Sequence, residues 1–258
     1  MYLWTSKIQD SLRYFIELAY NGKNYHGWQN QPNVITVQEV LEKALSTLLR
    51  KELQVVGAGR TDAGVHAKQL FAHFDFDEIE DLSDLHFKLN LFLPKDISIQ
   101  EIFQVKDDAH ARFHAIEREY EYVISFQKNP FTEDFAHLIH HQPNIDLMNE
   151  AANELLNCKD FQCFSRSKTD VKTYYCDVKE AYWKKENSQL IFTIKADRFL
   201  RNMVRAIVGT LLDVGYKKTS LNDFHEILKS KDRGKAGASA PSKGLYLTRV
   251  VYPEGIKY

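Results

Sequence analysis

The chain has 258 residues, 44% of them hydrophobic and 27% charged, a composition that excludes a disordered polymer and allows one large domain or two small ones. No stretch approaches the roughly 18 consecutive apolar residues of a membrane span, and Met1 to Asp10 lacks the apolar run of a secretory signal, so a cytoplasmic protein with no membrane partner is expected. The net charge of −1 limits non-specific attraction to polyanions, yet positive charge gathered on one face still permits nucleic-acid binding.

After a leader (residues 1–11), Tyr14, Ile16, Leu18 and Tyr20 alternate with other residues as a strand demands. A loop rich in Gly, Asn and aromatics runs from Asn21 to Asn33. Thr36 with Glu39 reads as a capping box, and Val37, Val40, Leu41, Ala44, Leu45 and Leu48 repeat at helical spacing behind it. Leu53 to Ala58 predicts a second strand and Leu70 to Phe76 a third. The acidic stretch from Asp75 to Asp84 reads as a solvated turn. A short helix from Asp84 and a strand from Ile97 to Val105 complete a ferredoxin-like order of elements.

A similar half begins near Ala109. Tyr120, Tyr122 and Ile124 alternate as a strand, and a helix is predicted over Asp146 to Leu156. Strands follow over Cys176–Trp183 and Gln189–Ala196, helices over Phe199–Val214 and Leu221–Lys229, and a last strand over Tyr246–Tyr252. Gly215 suits the C′ position that ends the longer helix. The expected fold class is α+β: two tandem ferredoxin-like (RRM-like) domains with antiparallel sheets, residues 12–108 and 109–258, with a cleft between them as the natural place for a site.

Cys158, Cys163 and Cys176 are odd in number and match no zinc spacing, which predicts reduced thiols. His137, His140 and His141 could share a helix face but lack a HExxH-type frame, so no metal is expected.

The most informative stretch is Gly57-Ala58-Gly59-Arg60-Thr61-Asp62-Ala63-Gly64-Val65-His66. A dinucleotide fingerprint needs a third glycine where Asp62 sits, and a P-loop needs Gly-Lys after its spacer; an aspartate there repels phosphate. Taken alone, Asp62 either stabilises a tight turn or is a carboxylate that small neighbours expose to a polymer backbone, with Arg60 placed to meet phosphates. Arg198, Arg201 and Arg205, three and four apart, read as a basic stripe on an apolar helix. Tyr120 and Leu245 read, on pattern alone, as core residues.

Gly59 to Ala67, GRTDAGVHA, resembles the signature of TruA-type tRNA pseudouridine synthases. Tyr25-His26-Gly27-Trp28-Gln29 and Thr36-Val37-Gln38 match the family's first block, and Asn90, Leu93-Pro94 and Asp96-Ile97 the next. His110-Ala111-Arg112-Phe113, Arg118-Glu119-Tyr120, Asn202-Met203-Val204-Arg205, Ile207-Val208-Gly209 and Gly244-Leu245-Tyr246-Leu247 follow in family order. Ala109 stands where the family often has Phe, and the leader is longer than usual.

The resemblance implies the pseudouridine synthase fold and an isomerase that breaks the N1–C1′ bond of a uridine and rejoins the base through C5. The implied substrate is uridine at positions 38, 39 and 40 of the tRNA anticodon stem-loop, the implied assembly a homodimer, and the implied cofactor none, metal included. Asp62 corresponds to the essential aspartate, acting on C1′ or on the C2′ proton. Arg205 corresponds to its cationic partner, which keeps a carboxylate ionised where burial favours the neutral acid. Tyr120 corresponds to the tyrosine that stacks on the target base, with a hydroxyl that could assist loss of the C5 proton, and Leu245 to the apolar wall beneath that base. Because the base must be flipped out, Arg60 is assigned to holding the flipped nucleotide, through phosphate or by filling the vacated space. His110, Arg112, Arg166, Lys168 and Lys172 are candidate contacts to the RNA backbone. Two other readings stay open on the residues alone: an RNA-binding module without chemistry, and a hydrolase pairing Asp62 with a second carboxylate.

Overall fold

The structure is a computed structural model, and it describes residues 11–166 and 171–257. The described strands are β1 (Leu12–Tyr20), β2 (Val56–Gly57), β3 (His66–Phe76), β4 (Ile97–Val105), β5 (Glu117–Ser125), β6 (His137–Leu138), β7 (Val178–Glu186), β8 (Gln189–Ala196) and β9 (Leu245–Val251). The helices are α1 (Val37–Leu49), α2 (Leu82–Phe92), α3 (Ile145–Glu154), α4 (Met203–Gly215) and α5 (Leu221–Ser230).

Alternation of apolar and polar residues gives each long strand one face to bury, and the strands join into one sheet in the order β4-β1-β3-β9-β5-β8-β7, with β2 on β3 and β6 on β5. The sequence pointed to antiparallel sheets in two units. The strands instead run on into a single mixed sheet, because β9 pairs parallel with β3 through His66–Tyr246 and Ala67–Leu247 and antiparallel with β5. The protein is thus a mixed α/β fold around one sheet.

Two apolar clusters are buried within this frame. One gathers Tyr14, Ile16, Leu41, Leu45 and Phe74 of the first half, with Leu247 and Val250 from β9. The other gathers Phe161, Phe192, Ile207, Leu211 and Phe224 of the second half, with Val65 from the first. Each cluster thus draws residues from the opposite end of the chain.

Several local expectations are corrected by where backbone groups find partners. Thr36 caps α1 by accepting from the Glu39 N–H at 3.3 Å while its hydroxyl donates to Asn30, but among the described residues the Glu39 side chain does not accept from the Thr36 N–H, so the box is half made. The complete box is Ser220 with Asp223, at α5. Leu53 to Ala58 yields only the two-residue β2, since the Leu53 and Val55 N–H groups donate to Ser46 and Glu42 of α1 and Gln38 donates to the Val55 carbonyl. Asp81, in the acidic stretch, starts α2 by accepting from the Ser83 and Asp84 N–H groups at 2.9 Å. Helix α4 begins at Met203 after Asn202 in the left-handed region (φ 67°), so Arg198 and Arg201 lie in the preceding turn and form no helical stripe with Arg205. Gly215 is the last helical residue rather than the position beyond it. A Cβ there would lie 2.6 Å from the Met148 sulfur and 2.7 Å from Pro143, so close packing on α3 selects the glycine. His137 sits in β6, which removes the shared helix face. The three cysteines are free. Among the described residues no helix is long and apolar enough to cross a membrane.

Candidate active site

The Asp62 loop joins β2 to β3 and is held from the N-terminal side by the 21–33 loop. The Trp28 N–H donates to the Thr61 carbonyl at 3.3 Å, the Gly64 N–H to the Tyr25 carbonyl at 3.2 Å, and the Val65 N–H back to the Asp62 carbonyl at 3.1 Å. Tyr20 and Thr61 share a buried hydroxyl–hydroxyl bond of 2.8 Å. Gly27 has φ 90°, and a Cβ there would lie 2.3 Å from the Thr61 carbonyl oxygen, so the two loops approach closely only because residue 27 is glycine. Gly64 (φ 75°) makes the turn after Asp62 and lies flush against Ser242, 2.7 Å from a Cβ built there. His66 pins the exit. Its Nδ1 accepts from the Gly22 N–H at 3.1 Å, which leaves Nε2 to donate to the Lys243 carbonyl at 3.2 Å, and burial holds the ring below the ordinary histidine range.

Arg205 reaches Asp62 from the first turn of α4, across 143 positions of sequence. Its Nη1 donates to the Asp62 Oδ2 at 3.3 Å, and its Nε donates to the Ala240 carbonyl at 2.7 Å. The Ala240 N–H returns a bond to the Arg205 carbonyl at 2.9 Å. The segment carrying Ala240 lies against α4 because Gly209 has no side chain, a Cβ there falling 1.8 Å from the Ala238 carbonyl oxygen. The two charged side chains are 22% and 25% exposed, open enough for a substrate to enter and closed enough to keep the pair oriented. Among the described residues no donor reaches the second Asp62 oxygen.

Strand β5 supplies the floor. Its odd positions face one way and pair with lysines: Glu117 with Lys179, Glu119 with Lys195 and Glu121 with Lys68. Its even positions, Arg118, Tyr120 and Tyr122, face the other way. Although β5 is a central strand, residues 117–121 are only half-buried. Tyr120 packs against both apolar clusters and meets Phe199 edge-on at 5.0 Å between centroids. Burial pushes its phenol up to about 12, opposed by Arg118 and reinforced by the Asp62 carboxylate. Its hydroxyl is therefore protonated at neutral pH, and no described group hydrogen-bonds it.

The remaining candidates divide. Arg60 is exposed and its Nε donates to the Gln29 side chain at 3.1 Å. Arg112 lies over the Phe113 ring at 5.7 Å, and partial desolvation of its guanidinium, followed by the neighbouring Arg60 and Arg198 cations, holds it below the ordinary arginine range. His110 spends its Nδ1 on the Arg112 and Phe113 N–H groups, so its role in shaping that turn is direct. Arg166 is exposed and its N–H donates to the Arg201 carbonyl at 3.0 Å; Lys172 is exposed; Lys168 lies outside the described residues. Leu245 is 5% exposed within the second cluster and stands opposite Tyr122 across β5 and β9. Sequence reasoning passed over Phe199 and gave Arg198 no role at the site, although Arg198 stands near enough to Arg112 to depress it. It also gave Arg118 no role. The available signal was a cation at an even position of a strand whose first three odd positions are carboxylates.

The family model described as tRNA pseudouridine synthase matches residues 18–114 and 151–253. The tRNA pseudouridine synthase A of Bacteroides thetaiotaomicron is 52% identical over 247 residues, covering 95% of this chain and 92% of its own. That of Bacteroides fragilis is 53% identical over 246 residues, covering 95% and 98%. The enzyme of a Thermoanaerobacter species is 40% identical over 239 residues, covering 92% and 98%. With more than three quarters of its length matched by the family model, and half its residues shared with such relatives, the chain belongs to the TruA family of tRNA pseudouridine synthases.

Proposed function

We propose that the protein isomerises uridine to pseudouridine at positions 38, 39 and 40 in the anticodon stem-loop of tRNA, with Asp62 as the essential carboxylate. The observation that carries this reading is the meeting of Asp62 with Arg205 at 3.3 Å, beside Tyr120, where the two apolar clusters join. Arg205 aims Asp62, and the Asp62 oxygen that no described residue donates to is the one that acts on the ribose at C1′ or at the C2′ proton. The N1–C1′ bond breaks, the base turns, C5 bonds to C1′, the C5 proton leaves and N1 gains a proton. The reaction is redox-neutral, so it needs neither metal nor organic cofactor.

Tyr120 stacks on the flipped base, with Phe199 holding its ring and Leu245 backing the apolar wall. A phenol this firmly protonated serves as a hydrogen-bonding group rather than as the base that takes the C5 proton. Arg60, braced by Gln29, holds the extruded nucleotide and offsets the few kcal/mol that unstacking costs. Arg112, Arg166, Lys168, Lys172 and the Nε2 of His110 meet phosphates. We further propose that residues 12–108 and 109–258 are two ferredoxin-like units fused through β9, that the enzyme works in the cytoplasm, and that a homodimer presents two such clefts to one tRNA.

Mapping pseudouridine in tRNA incubated with the protein tests this. Product at positions 38 to 40 without free uracil supports it. Product elsewhere overturns the substrate assignment, and free uracil overturns the isomerisation in favour of hydrolysis.

A further inference from the structure

A charged side chain that is half-buried normally meets a charge of opposite sign. Arg118, two residues before Tyr120 and on its face of β5, meets four backbone carbonyls instead. Its Nη1 donates to Ala115 at 2.9 Å and Asp197 at 2.7 Å. Its Nη2 donates to Ala58 at 3.0 Å and Arg112 at 2.6 Å. These carbonyls belong to three separate segments: the catalytic loop two residues before Arg60, the 110–115 turn that carries Arg112, and the turn between β8 and α4, one residue before Arg198. The planar fork of a guanidinium can serve several acceptors at once; an ammonium cannot hold that geometry.

The Asp197 carboxylate favours the Arg118 cation but makes no ion pair with it. The Asp197 carboxylate accepts from the Asp177 and Arg198 N–H groups, which fixes the backbone that presents Arg198. Among the described residues, Arg60, Arg112, Arg118 and Arg198 make no ion pair with a carboxylate. Four guanidinium groups are thus gathered with no ion-paired carboxylate among the described residues, and Arg112 is depressed by burial and then by its cationic neighbours Arg60 and Arg198. Such an arrangement is unfavourable in the free protein and is relieved by an anion. A chain of phosphodiesters supplies one with the matching geometry for arginine.

We propose that Arg118 is a positioning residue that gathers Arg60, Arg112 and Arg198 into one phosphodiester-binding rim beside Asp62, and that Arg198 is a contact to the RNA backbone. The proposal rests on the reading of the cleft as a tRNA site and specifies how that site grips its substrate. Arg118 touches no substrate; it acts through the three loops whose carbonyls converge on its guanidinium.

The test is tRNA binding followed by fluorescence anisotropy over a series of salt concentrations, for wild type, Arg198→Gln, Arg118→Lys and the double variant, with thermal midpoints alongside. Arg198→Gln is expected to bind about tenfold more weakly, as for loss of one charge-assisted bond, with the slope of log K against log salt reduced by roughly 0.7 to 1 and the midpoint unchanged. Arg118→Lys keeps the charge, yet it is expected to weaken binding further, and Arg198→Gln added to it should cost well under tenfold. Wild-type affinity and slope in Arg198→Gln would overturn the contact, and additive losses in the double variant would overturn the positioning role. If Arg118→Lys does not fold, the pair Arg198→Gln and Arg112→Gln carries the same test, since a shared phosphate site predicts non-additive losses there too. Pseudouridine formation by the wild type is scored separately. Binding with this salt signature but without product would sink the isomerase reading and leave the rim, whereas product formation with an unaltered Arg198→Gln would do the reverse.

Discussion

Arg205 uses two different nitrogens for two different jobs, and removing it separates stability from chemistry. Its Nε bond to the Ala240 carbonyl is 2.7 Å, a charge-assisted bond of about 1.5–3 kcal/mol. Its Nη1 lies 3.3 Å from Asp62, a Coulombic attraction of about 5 kcal/mol at an effective dielectric near 20. With the two side chains 22% and 25% exposed, desolvation and solvent screening offset most of that, leaving a coupling of about 1 kcal/mol. Arg205→Met is therefore expected to cost about 2–4 kcal/mol, a fall in Tm of about 4–16 °C for a chain of this size, and to abolish measurable isomerisation. Arg205→Lys retains one of the two contacts and should fall between. Asp62→Asn leaves the Ala240 anchor intact and keeps an acceptor for Nη1, so its Tm should stay within about 2 °C of wild type while activity is lost. Thermal denaturation and pseudouridine formation on the same preparations decide the matter. An Asp62→Asn variant as unstable as Arg205→Met, or an active Arg205→Met, would refute this division of roles.

Two further outcomes follow from the surroundings of the site. Gly209→Ala places a Cβ 1.8 Å from the Ala238 carbonyl oxygen and must push away the segment that anchors Arg205. Overpacking of this kind costs about 1–3 kcal/mol, so Tm should drop by about 2–12 °C, whereas Gly59→Ala, with nothing within 4 Å of the added Cβ, should leave Tm unaltered; equal midpoints for the two would contradict the packing argument. His73 is held down to about 4 by burial first and then by Arg13 and His110. A depressed histidine contributes stability that is complete above its unfolded value of 6.5 and is lost as pH falls toward about 4. That gap corresponds to roughly 3 kcal/mol, so denaturant unfolding of His73→Gln compared with wild type should show a smaller loss of stability between those pH values, and identical slopes would remove His73 from the acid limb.

The long alternating strands and amphipathic helices were legible because each buries one face, as in Tyr14 to Tyr20 and Val37 to Leu48. The GRTDAGVHA loop and the spaced family blocks pointed to Asp62, Tyr120 and Arg205, and the fold brings those three together at one place. What could not be read was anything set by partners far away in sequence. Leu53 and Val55 look like a strand, but side chains of α1 take their backbone hydrogen bonds. The regular spacing of Arg198, Arg201 and Arg205 suggested one helix face, until Asn202 adopted a left-handed conformation and started α4 later. Gly215 has the residue type of a helix stop, yet Met148 and Pro143 explain it. Arg118 was hidden for the same reason: its four acceptors come from three segments up to 79 positions away, and a strand pattern does not announce which carbonyls will converge on it. The single mixed sheet likewise depends on the parallel pairing of His66–Ala67 with Tyr246–Leu247, far apart in sequence.

The most direct test of the central claim is release of tritium from tRNA labelled at uridine C5, comparing wild type with Asp62→Ala. Release by the wild type alone, without free uracil, is the predicted result, and it would establish an isomerisation that depends on the Asp62 carboxylate. Release by both proteins would contradict the role of Asp62. Release by neither, with tRNA still bound, would mean a binding module rather than an enzyme.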